Sequence, residues 1–104
     1  MTETQYGATE AGTVVLEIGA ETGALVLRVP ADLAGREIEI SPDREPAQRR
    51  HACVRERHGD RGIGHAAVYD RLPPGTYTIW RNRVTPAATV TVVGGQVTSY
   101  DWPA

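Results

Sequence analysis

Apolar residues recur at every second position along most of this chain, the period of half-buried β-strands. Val14, Leu16 and Ile18 share one face, and residues 19–23 then turn the chain. Leu25, Leu27 and Val29 share the next face, with Val26 interrupting the alternation. Pro30 stops this run because it has no N–H to give to a ladder. Residues 30–35 make a short connection with room for one helical turn. Ile38 and Ile40 alternate with Glu37 and Glu39, which predicts a strand with one wet face. Residues 41–47 hold Pro42 and Pro46 and read as a loop.

The pattern then predicts two hairpins with a single strand between them. The first spans residues 49–58 and 63–70 around Gly59-Asp60-Arg61-Gly62. If Ala52 and Val54 face the core with Ala66 and Val68, then Val54 stands opposite Val68. Cys53 then lies near Tyr69, and Arg57 near His65. A slip of one residue would invert every one of these faces. Pro73-Pro74-Gly75 makes a turn, because proline presets φ and glycine accepts a positive one. After it, Tyr77 and Ile79 point one way, and Thr76, Thr78 and Trp80 the other. Residues 87–93 and 96–102 read as a closing hairpin through a two-residue Gly94-Gly95 turn, and Pro103 ends the fold. The expectation is an all-β domain over residues 13–104: a seven- to eight-stranded antiparallel Greek-key β-sandwich. Residues 1–12 are polar and carry Gly7 and Gly12, so they read as a disordered tail.

Three stretches carry a family resemblance that covers most of the chain from about Thr13 to Pro103. Leu72-Pro-Pro-Gly-Thr-Tyr77 resembles the L-x-x-G-x-Y entry to a late strand. Residues 25–29 and 36–40 look like a pair of opening strands, and residues 90–97 resemble a final strand pair. Together they are similar to small β-sandwich modules of the carboxypeptidase-regulatory, Cna-B and transthyretin-like (prealbumin-like) group. The resemblance implies that Leu72 plugs the sandwich end and that the Tyr77 hydroxyl ties a turn to a strand. It also implies a non-enzymatic module that contacts another protein. One member of the group is an enzyme, the transthyretin-like hydroxyisourate hydrolase. Its family closes on Tyr-Arg-Gly-Ser, whereas this chain closes on Tyr100-Asp-Trp-Pro-Ala.

Length and composition narrow the picture further. A chain of 104 residues is long enough for one domain with its own core. The lone cysteine, Cys53, leaves no intrachain disulfide and fits a reducing compartment. No signal peptide and no bilayer-length apolar run is read, so the expected location is cytoplasmic. The net charge of −2 is unevenly spread, and all eleven basic residues are arginines. Residues 1–43 set eight acidic groups against Arg28 and Arg36. Residues 44–61 set six arginines against Glu45, Glu56 and Asp60.

That arginine group is the most informative surface for function. Arg55 and Arg57 should project from one face, beside His65 and Tyr69 on the facing strand, with Arg49 near them. Guanidinium groups take carboxylates and phosphates bidentately, and Trp80 offers an amphipathic anchor. Trp80 has two readings: an exposed anchor, or a ring covered by the N-terminal tail or a second copy. Arg49, Arg55, Arg57, His65, Tyr69 and Trp80 are therefore the candidate partner-binding residues, and the expected partner is a protein. An acidic chain argues against nucleic acid. Exposed strand edges can also pair two copies.

Other chemistries find less support. His51, His58 and His65 recur every seven residues and suggest a small-ligand or metal site with Cys53. On the predicted register, however, His51 and His65 lie on the order of 20 Å apart at ~3.3 Å per residue. Ser41 and Ser99 have no histidine near them in sequence. Glu37 and Glu39 share a solvated face. No cofactor motif and no catalytic set is read.

Overall fold

The computed structural model describes residues 21–59 and 62–103. The expected tail at 1–12, the strand around Val14, Leu16 and Ile18, and the loop residues Asp60 and Arg61 lie outside the described residues. The described strands are β1 (Gly23–Val29), β2 (Glu37–Pro42), β3 (Arg50–Cys53), β4 (Arg55–Gly59), β5 (Gly62–Leu72), β6 (Gly75–Trp80), β7 (Pro86–Val92) and β8 (Val97–Asp101). They form two four-stranded sheets, ordered β4-β5-β1-β8 and β3-β2-β6-β7. The fold is the expected β-sandwich. Its core is Leu25, Leu27, Ala67 and Tyr69 from one sheet against Ile38, Ile40, Tyr77, Ile79, Val90 and Val92 from the other.

Two strand pairs expected from periodicity, and one expected from the resemblance, do not form in that way. Residues 49–58 are not one strand. β3 pairs with β2 and β4 with β5, and the chain changes sheets at Val54. The Val54 main chain explains the break. Its N–H donates to Arg36 O at 2.8 Å, and its carbonyl accepts from Gly35 N at 2.9 Å, while its side chain is fully buried between the sheets. Nor do residues 87–93 and 96–102 form a hairpin. β7 pairs with β6, and the chain then crosses to the other sheet, where β8 runs parallel to β1. The opening strands β1 and β2 likewise lie in different sheets, joined across the sandwich end by a 3-10 turn at Ala31–Leu33. Among the described pairings, β1–β8 alone is parallel.

The faces of β5 are inverted from the expectation. Leu25 pairs with Tyr69 and Leu27 with Ala67, so Tyr69 and Ala67 face the core and Ala66 and Val68 face outward. All four residues from Ala66 to Tyr69 are apolar, so alternation could not choose between the faces. The large ring takes the inner one. Val26 no longer interrupts anything. It is buried on the outer face with Ala66, against Val68 and Val97. A continuous apolar run is what a central strand covered on both sides should show.

A bulge closes β5. Between the pairs Gly23↔Leu72 and Leu25↔Tyr69, one residue of β1 opposes Asp70 and Arg71 of β5. Arg71 sits there at φ 55, in the left-handed region. The extra residue shifts the pleat by one, so Tyr69 and Leu72, three apart in sequence, both point into the core. The Tyr77 hydroxyl then donates to Pro73 O at 2.6 Å, fastening the turn to β6.

Candidate functional site

Arg49 and Trp80 come together on the outer face of the β3-β2-β6-β7 sheet. The Arg49 guanidinium lies 3.7 Å over the Trp80 ring. It also donates through Nη1 to Glu39 Oε1 at 2.9 Å, through Nε to Pro46 O at 2.7 Å, and through Nη2 to Arg83 O at 3.2 Å. The Trp80 indole N–H donates to Ser41 Oγ at 2.9 Å. Trp80 is thus half-buried under an arginine of its own chain rather than presented as an open anchor. The cluster is a latch that holds residues 46–49 and the β6–β7 loop onto the sheet. Each of the three Arg49 guanidinium nitrogens already donates within the chain.

Arg55 and Arg57 stand elsewhere. Both project from β4, at the margin of the other sheet, where Arg55 pairs with Ala66 and Arg57 with Gly64. The register lies one residue from the predicted one, so His65 faces Glu56 instead of Arg57. Tyr69 is no surface residue. It is 1% exposed, and its hydroxyl crosses the core to donate to Ile38 O at 2.6 Å. Burial drives its phenol well above the ordinary range, a positive charge at Arg50 opposing. The six candidate residues therefore do not form one surface. They divide into the Arg49–Trp80 latch, the Arg55–Arg57 pair, the half-buried His65 and the core Tyr69.

The Arg55–Arg57 pair has no counter-ion among the described residues. Arg57 Nε is buried without any hydrogen-bond partner. Burial first, then the neighbouring Arg55 charge, hold the Arg57 guanidinium below its usual pKa. Two adjacent cations, one of them partly desolvated, are costly until an anion arrives.

The histidines and the thiol do not converge. His51 Nδ1 lies 3.4 Å from Glu37 Oε1 on one sheet, and His58 Nε2 lies 3.5 Å from Glu56 Oε1 on the other. Among the described residues, no three His, Cys, Asp or Glu side chains gather closely enough to hold a metal ion. Cys53 is half-buried on β3, and its Sγ approaches Val54 O at 3.7 Å. Ser41 serves as acceptor for Trp80.

Periodicity missed a cleft at one end of the sandwich. Residues 42–48 and the turn before β6 enclose about 530 Å³, within the size range of small-molecule sites. Its lining includes the core residues Leu72 and Tyr77, three prolines (Pro42, Pro73 and Pro74), and Arg44 and Arg50. The two proline-bearing loops were visible in the sequence. Their meeting was not, because it depends on β2 pairing with β6. No helix among the described residues is long and apolar enough to cross a membrane. No family model, curated protein or solved structure matches the chain.

Proposed function

We propose that the chain is a non-catalytic interaction module that contacts an acidic protein partner through β4. The observation that carries this reading is the Arg55–Arg57 pair, which has no counter-ion among the described residues and includes a buried, unpartnered Nε. A carboxylate supplied by a partner would meet the exposed Arg55 guanidinium bidentately and relieve the repulsion between the two cations. The burial of Leu72 and the bond from Tyr77 to Pro73 support reading these two as fold residues in a module of this kind. A single free thiol supports a cytoplasmic setting.

The test is affinity capture with the wild-type chain, an Arg55→Ala/Arg57→Ala variant and an Arg83→Ala control, Arg83 being exposed on the β6–β7 loop of the other sheet. A stoichiometric partner held by wild type and control, weakened by salt and lost from the double variant, is the expected outcome. A partner held equally by all three sinks the β4 surface. Sedimentation of the purified chain runs alongside. A dimer dissolved by the double substitution would make the partner a second copy.

A further inference from the structure

We propose that the cleft between residues 42–48 and the 72–76 turn binds a small carboxylate carried on an apolar, ring-sized body. This site is separate from β4 and does not depend on the reading above.

The cleft is held in place by bonds of its own. Asp43 N–H donates to Thr76 O at 2.9 Å, joining the two loops. Within residues 42–48, Glu45 N–H donates to Pro42 O and Gln48 N–H to Glu45 O, both at 2.9 Å. The Tyr77 hydroxyl is fixed on Pro73 O. Three prolines on the walls limit what the backbone can lose on binding. Leu72 and Tyr77 back the cleft but are only 1% and 3% exposed, so its apolar wall is chiefly Pro42, Pro73 and Pro74. Gly75 adds open space: at φ 147, a Cβ there would meet nothing within 4 Å.

Polar chemistry chooses the ligand class. Arg50 spends one donor, Nη2, on Asp70 O at 3.0 Å. Its charge is nonetheless felt at the Tyr77 hydroxyl, where it opposes the upward push of burial. Arg50 is therefore anchored on the cleft with donors to spare. Arg44 makes no hydrogen bond or ion pair among the described residues. Of the two acids on the lining, Asp43 already accepts from the Thr78 hydroxyl at 3.1 Å, which draws it toward the outer sheet face. The lining thus sets two guanidiniums with free donors, Arg44 and Arg50, against two carboxylates, Asp43 and Glu45, of which Asp43 is held on Thr78. A carboxylate meets a guanidinium fork bidentately, whereas a neutral amide does not. An apolar body fills the space between the prolines, and the carboxylate lies at the arginines.

The test is an NMR titration of the full chain with phenylacetate, cyclohexylacetate and indole-3-acetate, each against its primary amide. We expect saturable shifts at the Arg44, Gly75 and Thr76 amides. Each acid should bind roughly tenfold more tightly than its amide, the factor expected from losing a charge-assisted pair. The gap should close in Arg44→Gln/Arg50→Gln. If losing the Asp70 bond unfolds that variant, Arg44→Gln alone keeps the test, since Arg44 has no partner to lose among the described residues. Acid and amide binding equally would overturn the proposal, as would the absence of saturable shifts at these residues across the panel.

Discussion

A phenol hydroxyl in a sandwich core has to find an acceptor there, and Tyr69 finds one on the opposite sheet. Its ordinary pKa of 10.0 is raised by burial, and that of Tyr77 moves the same way for the same first reason. The folded chain therefore keeps these protons at a pH where the unfolded chain loses them. Stability is complete below about pH 10 and falls as pH rises beyond it. Urea melts through that window should show the decline, and Tyr69→Phe should make it shallower. An unchanged decline would mean that other groups cause it. Tyr69→Phe should also cost ~1 kcal/mol near neutral pH through loss of the bond to Ile38. For Arg49→Ala, the expected result is a red shift in tryptophan emission and a loss of about 1–2 kcal/mol, since a cation–π contact and a part-buried ion pair go together. Emission unmoved by the substitution would refute the latch. At this scale the sequence was legible where chemistry is local. The roles of Leu72 and Tyr77 were implied only by the resemblance that their own stretch of sequence carries. That of Tyr69 could not be read, because its acceptor lies 31 residues away.

Strands depend on pairing as well as on period. The alternation located the strands well, and even the short turn after Pro30 was visible. It could not say which sheet a strand joins, because an inward residue at Val54 looks the same whether its chain continues or crosses over. The bulge at Arg71 was hidden for a related reason. A positive φ is usually announced by glycine, and here the position holds arginine. Restoring the usual residue should be stabilising or neutral. A β-branched residue there should cost ~1–2 kcal/mol relative to glycine. Denaturant midpoints of Arg71→Gly and Arg71→Val measure this directly, and equal midpoints would remove the bulge as a source of strain. Gly23 makes a sharper demand. A Cβ there would collide with Val93 O and lie 2.9 Å from Val92 Cγ1 and 3.0 Å from Gln96 O. Gly23→Ala should therefore push β1 away from the crossing into β8 and cost more than ~2 kcal/mol. A thermal melt unshifted from wild type would contradict this packing.

Across the whole molecule, the arginines that lie close in sequence are dealt to different places. Arg49 locks one sheet face, Arg50 borders the cleft, and Arg55 and Arg57 occupy the margin of the other sheet. The sequence showed a basic segment but not its division, because the division is made by the crossing at Val54. The parallel pairing of β1 with β8 has a mechanical meaning. The start of β1 and the end of β8 lie at opposite ends of one ladder, five paired positions long. Pulling on those two ends drags the strands lengthwise past each other, so the rungs share the load and yield together. Pulling instead on a hairpin such as β6–β7 would open its rungs one at a time. A force probe attached at residues 23 and 102 should thus meet much greater resistance than one attached at residues 75 and 92. A domain tethered through β1 and β8 would behave as a clasp under tension.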